Sequence, residues 1–390
     1  MRVAFTLIGG RDWTGGHNYL LNLFRIMAQH QVDRLTLVLF VAEECAEVDT
    51  APFAAISGVE VVRTPFLNAA RRPGALLQAV LWGRDVNMHG LFREHHIDVV
   101  FEAAQFFGWR LGLSSIAWIP DFQHRALPHL FSQWAWWRRE IGLRAQVLGG
   151  RHIMLSSNDT RRACEIYFPS TCRRTRTVHF AVPPGPEITY AEARAIADDY
   201  GLPERFFFMP NQFWKHKNHA LVVEALAQLR LRGMRLVVAA SGNQSDPRDP
   251  GHFLHLQNRV EQLGVGDQIR FLGLIPYSHV APLLRASIAL LNPSLFEGWS
   301  TTVEEARALG TPMVLSDLDV HREQMGGHAT YFDRNSPSSL ADALQNFQFL
   351  DEVRREKLAS EARKDAELRV IEFADNFADL VEHCMQERRL

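Results

Sequence analysis

The chain has 390 residues, 47% of them hydrophobic and 22% charged, with a formal net charge of −2. That length exceeds one simple core and predicts two domains, while the apolar fraction excludes a disordered chain. The near-neutral balance argues against a dedicated nucleic-acid binder, and no run is long and apolar enough to predict a transmembrane helix.

Met1-Arg2-Val3-Ala4-Phe5 leads straight into an apolar strand-like run, so no secretory signal peptide is expected. Cys45, Cys164, Cys172 and Cys384 form no CxxC pair, which suggests neither a disulfide framework nor a structural zinc and fits a reducing cytoplasm. Basic residues outnumber acidic ones over 1–185, and the reverse holds over 186–390. This is either ordinary scatter or a basic half facing an anionic acceptor.

In chain order, apolar runs rich in Val, Ile and Phe read as buried parallel strands. They are Val3–Ile8, Leu35–Val41, Val59–Arg63, Asp98–Glu102, Ser115–Ile119, Ile153–Ser156 and Thr177–Phe180. Phe206–Pro210, Leu236–Ala240, Ile269–Leu272, Ile288–Leu291, Pro312–Leu315 and Thr330–Phe332 follow. Helix-period segments alternate with them, among them Tyr19–Ala28, Ala220–Leu231, Leu254–Leu263, Val280–Arg285 and Val303–Leu309. The alternation predicts an α/β protein of two doubly wound, Rossmann-like domains. Pro183-Pro184-Gly185-Pro186 marks the boundary, giving domains over 1–185 and 186–370 and a terminal helical segment over 371–390.

Five stretches carry chemistry. Gly9-Gly10 and Gly15-Gly16 separate a strand from a helix, as a phosphate cradle or a simple tight turn; the spacing is not GxGxxG. Trp118-Ile119-Pro120-Asp121-Phe122-Gln123-His124 follows a strand end, where Asp121 and His124 are either acceptor-side contacts or structural. Trp134 to Arg139 interleaves aromatic and basic side chains, suited either to packing or to a membrane interface or lipid-linked acceptor.

The fourth stretch runs from Met209-Pro210-Asn211-Gln212 to Lys217-Asn218-His219. Only four residues of the chain are Lys, and Lys215 and Lys217 share this loop between a strand and a helix. Ligands of open α/β sheets bind there, and an ammonium suits a phosphate as a point charge; a solvated loop lysine is the alternative. The fifth is Pro293-Ser294-Leu295-Phe296-Glu297-Gly298-Trp299-Ser300-Thr301-Thr302-Val303-Glu304-Glu305. The N–H groups of Ser300, Thr301 and Thr302 are placed to hold phosphate oxygens at a helix N-terminus. Thr301 with Glu304, or Thr302 with Glu305, also matches a capping box.

These motifs together resemble the retaining GT4-type glycosyltransferases of the GT-B fold. Glu297 and Glu305 match that family's Glu-x7-Glu motif, with Pro293-Ser294 before it and Gly310 and Pro312 after it. The Lys217 segment resembles the family's phosphate-binding lysine loop, and Gly15-Gly16 its N-terminal glycine loop. The resemblance is strong over about residues 200–335 and weaker but collinear before that.

It implies two domains facing each other across a cleft, with the last helix crossing back to the first. It further implies that Lys217 binds the donor diphosphate, Glu297 the sugar and Glu305 the ribose, with His124 beside the sugar. Gly15, Gly16, Asn211, Gln212, Gly242, Gly298, Ser300, Thr301 and Thr302 complete the donor set. The implied partners are a nucleotide-diphosphate sugar and a sugar, glycan or lipid-linked acceptor, with no cofactor and no metal. The implied setting is bacterial surface polysaccharide or glycolipid assembly, in the cytoplasm at the inner membrane face. Three departures stand out: Gln212 replaces a frequent Arg, Pro120-Asp121 replaces a His-Asp pair, and Trp299-Ser300-Thr301-Thr302 replaces the usual loop. A nucleotide-sugar epimerase and a non-catalytic glycan-binding homologue are the rival readings.

Overall fold

Apolar runs become parallel strands of three to seven residues, buried at the centre of each sheet, in the computed structural model, which describes residues 1–7, 14–103 and 105–389. Strands covered on both faces have no reason to alternate polar and apolar residues, which is why the runs are continuous. The chain divides into two units. The first comprises Met1–Phe122, Ser132–Phe180 and Val370–Leu390, and the second Gln123–Phe131 and Ala181–Arg369. The segment Gln123–Phe131, which a linear boundary near Pro183 assigns to the first half, thus groups with the second unit.

The first unit is built on β1 (Arg2–Thr6), β2 (Thr36–Ala42), β3 (Glu60–Thr64), β4 (Val99–Ala103), β5 (Ser114–Ile119), β6 (His152–Leu155) and β7 (Thr175–Thr177). They form one parallel sheet in the order β3-β2-β1-β4-β5-β6-β7. The last strand precedes the apolar run Thr177–Phe180 read from the sequence. As an edge strand it is polar, and Val178 N–H donates only one further bond, to Leu155 O, before the chain leaves the sheet.

Phe5 on β1 centres the core, 4.8 Å from the Phe24 ring, 5.2 Å from Phe101 and 6.2 Å from Phe377. Phe377 comes from the terminal helix Glu352–Arg389, whose last turns therefore belong to this unit. Arg34 fastens the same helix by bonds to Asp379 and Glu382 at 2.6 and 2.8 Å. Glu102 is the exception in the wholly buried β4: burial pushes its carboxyl up, and the buried Arg151 guanidinium beside it opposes that rise.

The second unit is built on β8 (Phe207–Pro210), β9 (Val238–Ser241), β10 (Ile269–Gly273), β11 (Ala289–Asn292), β12 (Met313–Ser316) and β13 (Thr330–Phe332). The order is β10-β9-β8-β11-β12-β13, again all parallel. The helix His219–Leu231 buries Leu221, Val222, Val223, Ala225, Leu226 and Leu229 against this sheet. Gly310, at φ 65°, ends the helix Thr301–Ala308 where a Cβ would stand 2.6 Å from the Leu358 backbone. Only a glycine lets the terminal helix lie that close.

Candidate active site

In each sheet the strand order reverses once, between β1 and β4 and between β8 and β11. Such a switch point leaves a crevice at the carboxyl ends of the two strands, where ligands of open α/β sheets bind. Lys217 follows β8 and Glu297 follows β11, so the two come from the neighbouring strands that flank the second switch. Lys217 Nζ donates to Glu297 Oε1 at 2.6 Å, with both side chains mostly buried. Ser294 Oγ donates to the same oxygen at 2.7 Å.

Two ties hold the loops together. Leu295 N–H donates to His216 O at 2.8 Å. Asn218 adopts the left-handed conformation at φ 60° and its Nδ2 donates to Pro293 O at 3.1 Å and Arg334 O at 3.0 Å. Asparagine tolerates that conformation better than most residues, so the turn after Lys217 needs a residue of this kind.

Beneath the Glu297 loop lies a buried polar web. Asn292 Oδ1 accepts from Ser294 N–H at 3.2 Å, and Asn292 Nδ2 donates to Ser300 Oγ at 3.0 Å and Thr302 Oγ1 at 3.4 Å. Gln324 Oε1 accepts from Ser300 N–H at 3.2 Å, while its Nε2 donates to Ser300 O and Glu304 Oε1 at 3.0 and 3.1 Å. A fully paired web of this kind fixes a loop in one shape. Two expectations change as a result. Ser300 caps the helix Thr301–Ala308 without a side-chain bond, so neither Thr301 nor Thr302 forms a capping box. The Ser300 N–H is engaged by Gln324, which leaves the amides of Thr301 and Thr302 as the first-turn donors.

Glu304 turns inward, to Gln324, Arg307 and Arg369. Glu305 is half-buried, and Tyr277 OH donates to its Oε1 at 2.7 Å. Burial pushes its carboxyl up to about 7, and the Tyr277 bond opposes that rise. Next to Lys217, burial holds His216 down to about 2 and His219 down to about 3, with neighbouring charges adding to both effects. Both imidazoles are therefore neutral scaffolding rather than extra cations.

Asn211 is buried, and its Nδ2 has no hydrogen-bond acceptor among the described residues. Gln212 Oε1 accepts from Asn243 N–H at 2.7 Å. Gly242, at φ 151°, lies where a Cβ would be 2.4 Å from Asn211 O, so the loop after β9 presses directly on the loop after β8. Gly298 lies half-buried in the Glu297 loop.

His124 is fully buried in the short helix Gln123–Ala126 of the second unit, 6.4 Å from the Phe131 ring. Asp121 belongs to the first unit, where Arg139 Nη2 donates to its Oδ1 at 3.0 Å. Gly15 and Gly16 sit in the first turn of the helix Thr14–His30, and Gly9 and Gly10 lie outside the described residues.

The sequence reading missed Asn218, Asn292, Gln324 and Tyr277. Only Asn218 carried a local signal, an asparagine immediately before a helix. It also missed Arg248, whose guanidinium bonds Asp246, Gln123 and His216 and lies 5.6 Å from both the Phe131 and Trp214 ring centroids.

Residues 195–365 match the family model for glycosyl transferases group 1. The O-antigen chain mannosyltransferase RfbU of Salmonella typhimurium is 25% identical over 151 residues, 38% of this chain and 40% of its own length. A D-inositol 3-phosphate glycosyltransferase of Corynebacterium glutamicum is 32% identical over 127 residues, 32% of this chain and 29% of its own length. The matched part thus spans less than half the length of these curated relatives. Among solved structures, Anabaena HepE in complex with UDP and glucose superposes with a TM-score of 0.72 at 16% identity, over 98% of this chain and 100% of that one. WaaG, a glycosyltransferase involved in lipopolysaccharide biosynthesis, gives a TM-score of 0.62 at 15% identity, over 97% and 99%. The chain thus has the GT-B fold of these glycosyltransferases, and its second half is related to the glycosyl transferases group 1.

Proposed function

We propose that the chain is a glycosyltransferase that moves a sugar from a nucleotide-diphosphate donor to an acceptor hydroxyl with retention at the anomeric carbon. The observation that carries this reading is the Lys217–Glu297 contact at the switch point of the second sheet. Without ligand the ammonium and the carboxylate neutralise each other. A donor offers each a better partner: its diphosphate for Lys217, its sugar hydroxyls for Glu297. Glu305 would take the ribose hydroxyls, and the amides of Thr301 and Thr302 and the unpaired Asn211 Nδ2 would serve as further donors. Gly242 and Gly298 would let the backbone approach the donor, and His124 would stand beside the sugar.

In the step itself the bond from the anomeric carbon to the phosphate oxygen breaks, and its electron pair stays on the diphosphate. The acceptor oxygen bonds that carbon on the same face, and the acceptor proton passes to the departing phosphate. The protein positions the partners and stabilises the leaving charge, so no metal is required at this site.

The test is turnover against a panel of UDP-, GDP-, ADP- and CMP-sugars with and without EDTA, reading nucleotide release and the anomeric configuration of the product. Lys217→Ala should cut turnover by about 100-fold or more. Near wild-type turnover in that variant, or an inverted product, would overturn the proposal.

The acceptor is proposed to be a glycan or lipid-linked sugar of surface polysaccharide or glycolipid assembly, met at the inner membrane face. Two features support this: the roles of RfbU in O-antigen chains and of WaaG in lipopolysaccharide biosynthesis, and the helix Gln133–Leu148, which leaves Trp134 70% and Trp137 56% exposed beside Arg138. No described helix is long and apolar enough to cross a membrane, so the contact would be peripheral. The chain should sediment with anionic vesicles, and Trp134→Ser with Trp137→Ser should abolish that; no sedimentation of the wild type removes the membrane from the reading.

A further inference from the structure

The geometry points to a zinc-type metal site in the first unit, formed by His152, His383 and Glu387. His152 opens β6, and His383 and Glu387 lie four residues apart on one face of the terminal helix. His152 Nε2 stands 3.2 Å from Glu387 Oε2, and His383 Nε2 stands 3.2 Å from Glu387 Oε1. The three ligand atoms all lie within 4.8 Å of one another. A tetrahedral zinc with bonds of about 2.0–2.1 Å holds its ligands about 3.3–3.4 Å apart. The two 3.2 Å contacts end on different oxygens of Glu387, so its carboxylate already bridges the two imidazoles, and small rotations of the part-exposed His383 and Glu387 side chains bring one oxygen and both ring nitrogens to that spacing.

The ligand set fits a borderline cation. Two imidazoles and one carboxylate suit zinc better than calcium or magnesium, which prefer all-oxygen shells. A cavity of about 310 Å³, lined in part by Ser115, His152, Cys384 and Glu387, adjoins the cluster and leaves room for a water in the fourth position.

The hydrogen bonding around His383 also favours a cation. Its Nε2 is 3.2 Å from Glu387 Oε1 and 3.4 Å from Arg176 Nη2. One ring nitrogen cannot donate to the carboxylate and accept from the guanidinium at once. A metal ion would accept both the nitrogen lone pair and the carboxylate, and would displace the exposed Arg176 outward. The consequence is structural: the metal would pin the last turns of the terminal helix to the start of β6. This goes beyond the proposed transferase activity, whose donor residues Lys217, Glu297 and Glu305 all belong to the second unit.

The test uses the full chain without a histidine tag, stripped with EDTA and titrated with Zn²⁺ by calorimetry and with Co²⁺ by visible absorption. One equivalent of Zn²⁺ should bind, Co²⁺ should give the intense bands of a four-coordinate site, and Zn²⁺ should raise the Tm. His383→Ala and Glu387→Gln should each weaken binding by at least about 10-fold. Both side chains are partly exposed, at 34% and 50%, so the fold should survive, as an unchanged metal-free Tm would verify. Arg176→Gln should tighten binding by removing a competing charge. Absence of a tight equivalent, binding indifferent to His383→Ala and Glu387→Gln, or weaker binding in Arg176→Gln would overturn the site.

Discussion

Glu305 links a single residue's environment to a measurable pH dependence. Its carboxyl is raised from the ordinary 4.5 to about 7, chiefly by burial. Between those values the native state holds a proton that the unfolded chain releases, so this residue's contribution to stability falls as pH rises from 4.5 to 7. The folded chain thus bears a cost above pH 7 that the Tyr277 bond reduces and a ligand donating to the carboxylate would offset further. Two outcomes follow if Glu305 accepts the ribose hydroxyls. Nucleotide affinity should weaken as pH falls below 7, approaching a tenfold loss per pH unit, and Glu305→Gln should flatten the profile while raising the Tm at pH 8. Calorimetry with the cognate nucleotide from pH 5.5 to 8.5 measures this, and an affinity independent of pH in the wild type removes Glu305 from the ribose.

At the scale of elements, what the sequence makes legible depends on how local its cause is. Buried parallel strands announce themselves because each is a short apolar run, and the runs ending at Pro210 and Leu291 foreshadow β8 and β11 within a residue or two. The placement of Lys217 and Glu297 beyond strand ends is legible for the same reason, since each follows such a run by a few residues. The tie between them is not. Asn218 reaches Pro293 and Arg334, 75 and 116 residues away, and Gln324 reaches Ser300 from a helix that begins beyond the next strand. No spacing rule anticipates such partners. The capping-box expectation fails for a related reason: Thr301 and Glu304 have the right local spacing, but Gln324, Arg307 and Arg369 claim Glu304 from elsewhere. The same limit applies to Gln123–Phe131, whose grouping with the second unit follows from tertiary contacts, Gln123 and Phe131 with Arg248 among them.

For the molecule as a whole, the buried titratable groups are unequally shared between the two units, and that predicts which one acid unfolds first. The second unit holds His216 at about 2 and His219 at about 3, both depressed mainly by burial, and His321 depressed in the same way. Below 6.5 the unfolded chain binds protons at these positions that the native state refuses. Stability therefore drops as pH falls from 6.5 towards 3, by up to about 1.4 kcal/mol per pH unit for each such group. Glu305, and Glu304 likewise raised by burial, work the other way, but only above the ordinary 4.5, so below 4.5 these carboxyls no longer oppose the histidines. In the first unit His152 is depressed too, by burial with His383, Arg176 and Arg174 adding to it and the Glu387 carboxylate opposing it, so that unit carries fewer such histidines rather than none. Peptide-resolved hydrogen exchange on an acid series should thus show Phe207–Pro210 and His219–Leu231 losing protection at a higher pH than Arg2–Thr6 and Ser114–Ile119. His219→Phe keeps a ring against Phe213, 4.3 Å away between centroids, and removes one titrating group, so it should move the second unit's transition to lower pH. Loss of protection in the first unit at the higher pH, or an acid midpoint unmoved by His219→Phe, would show that other groups govern acid unfolding.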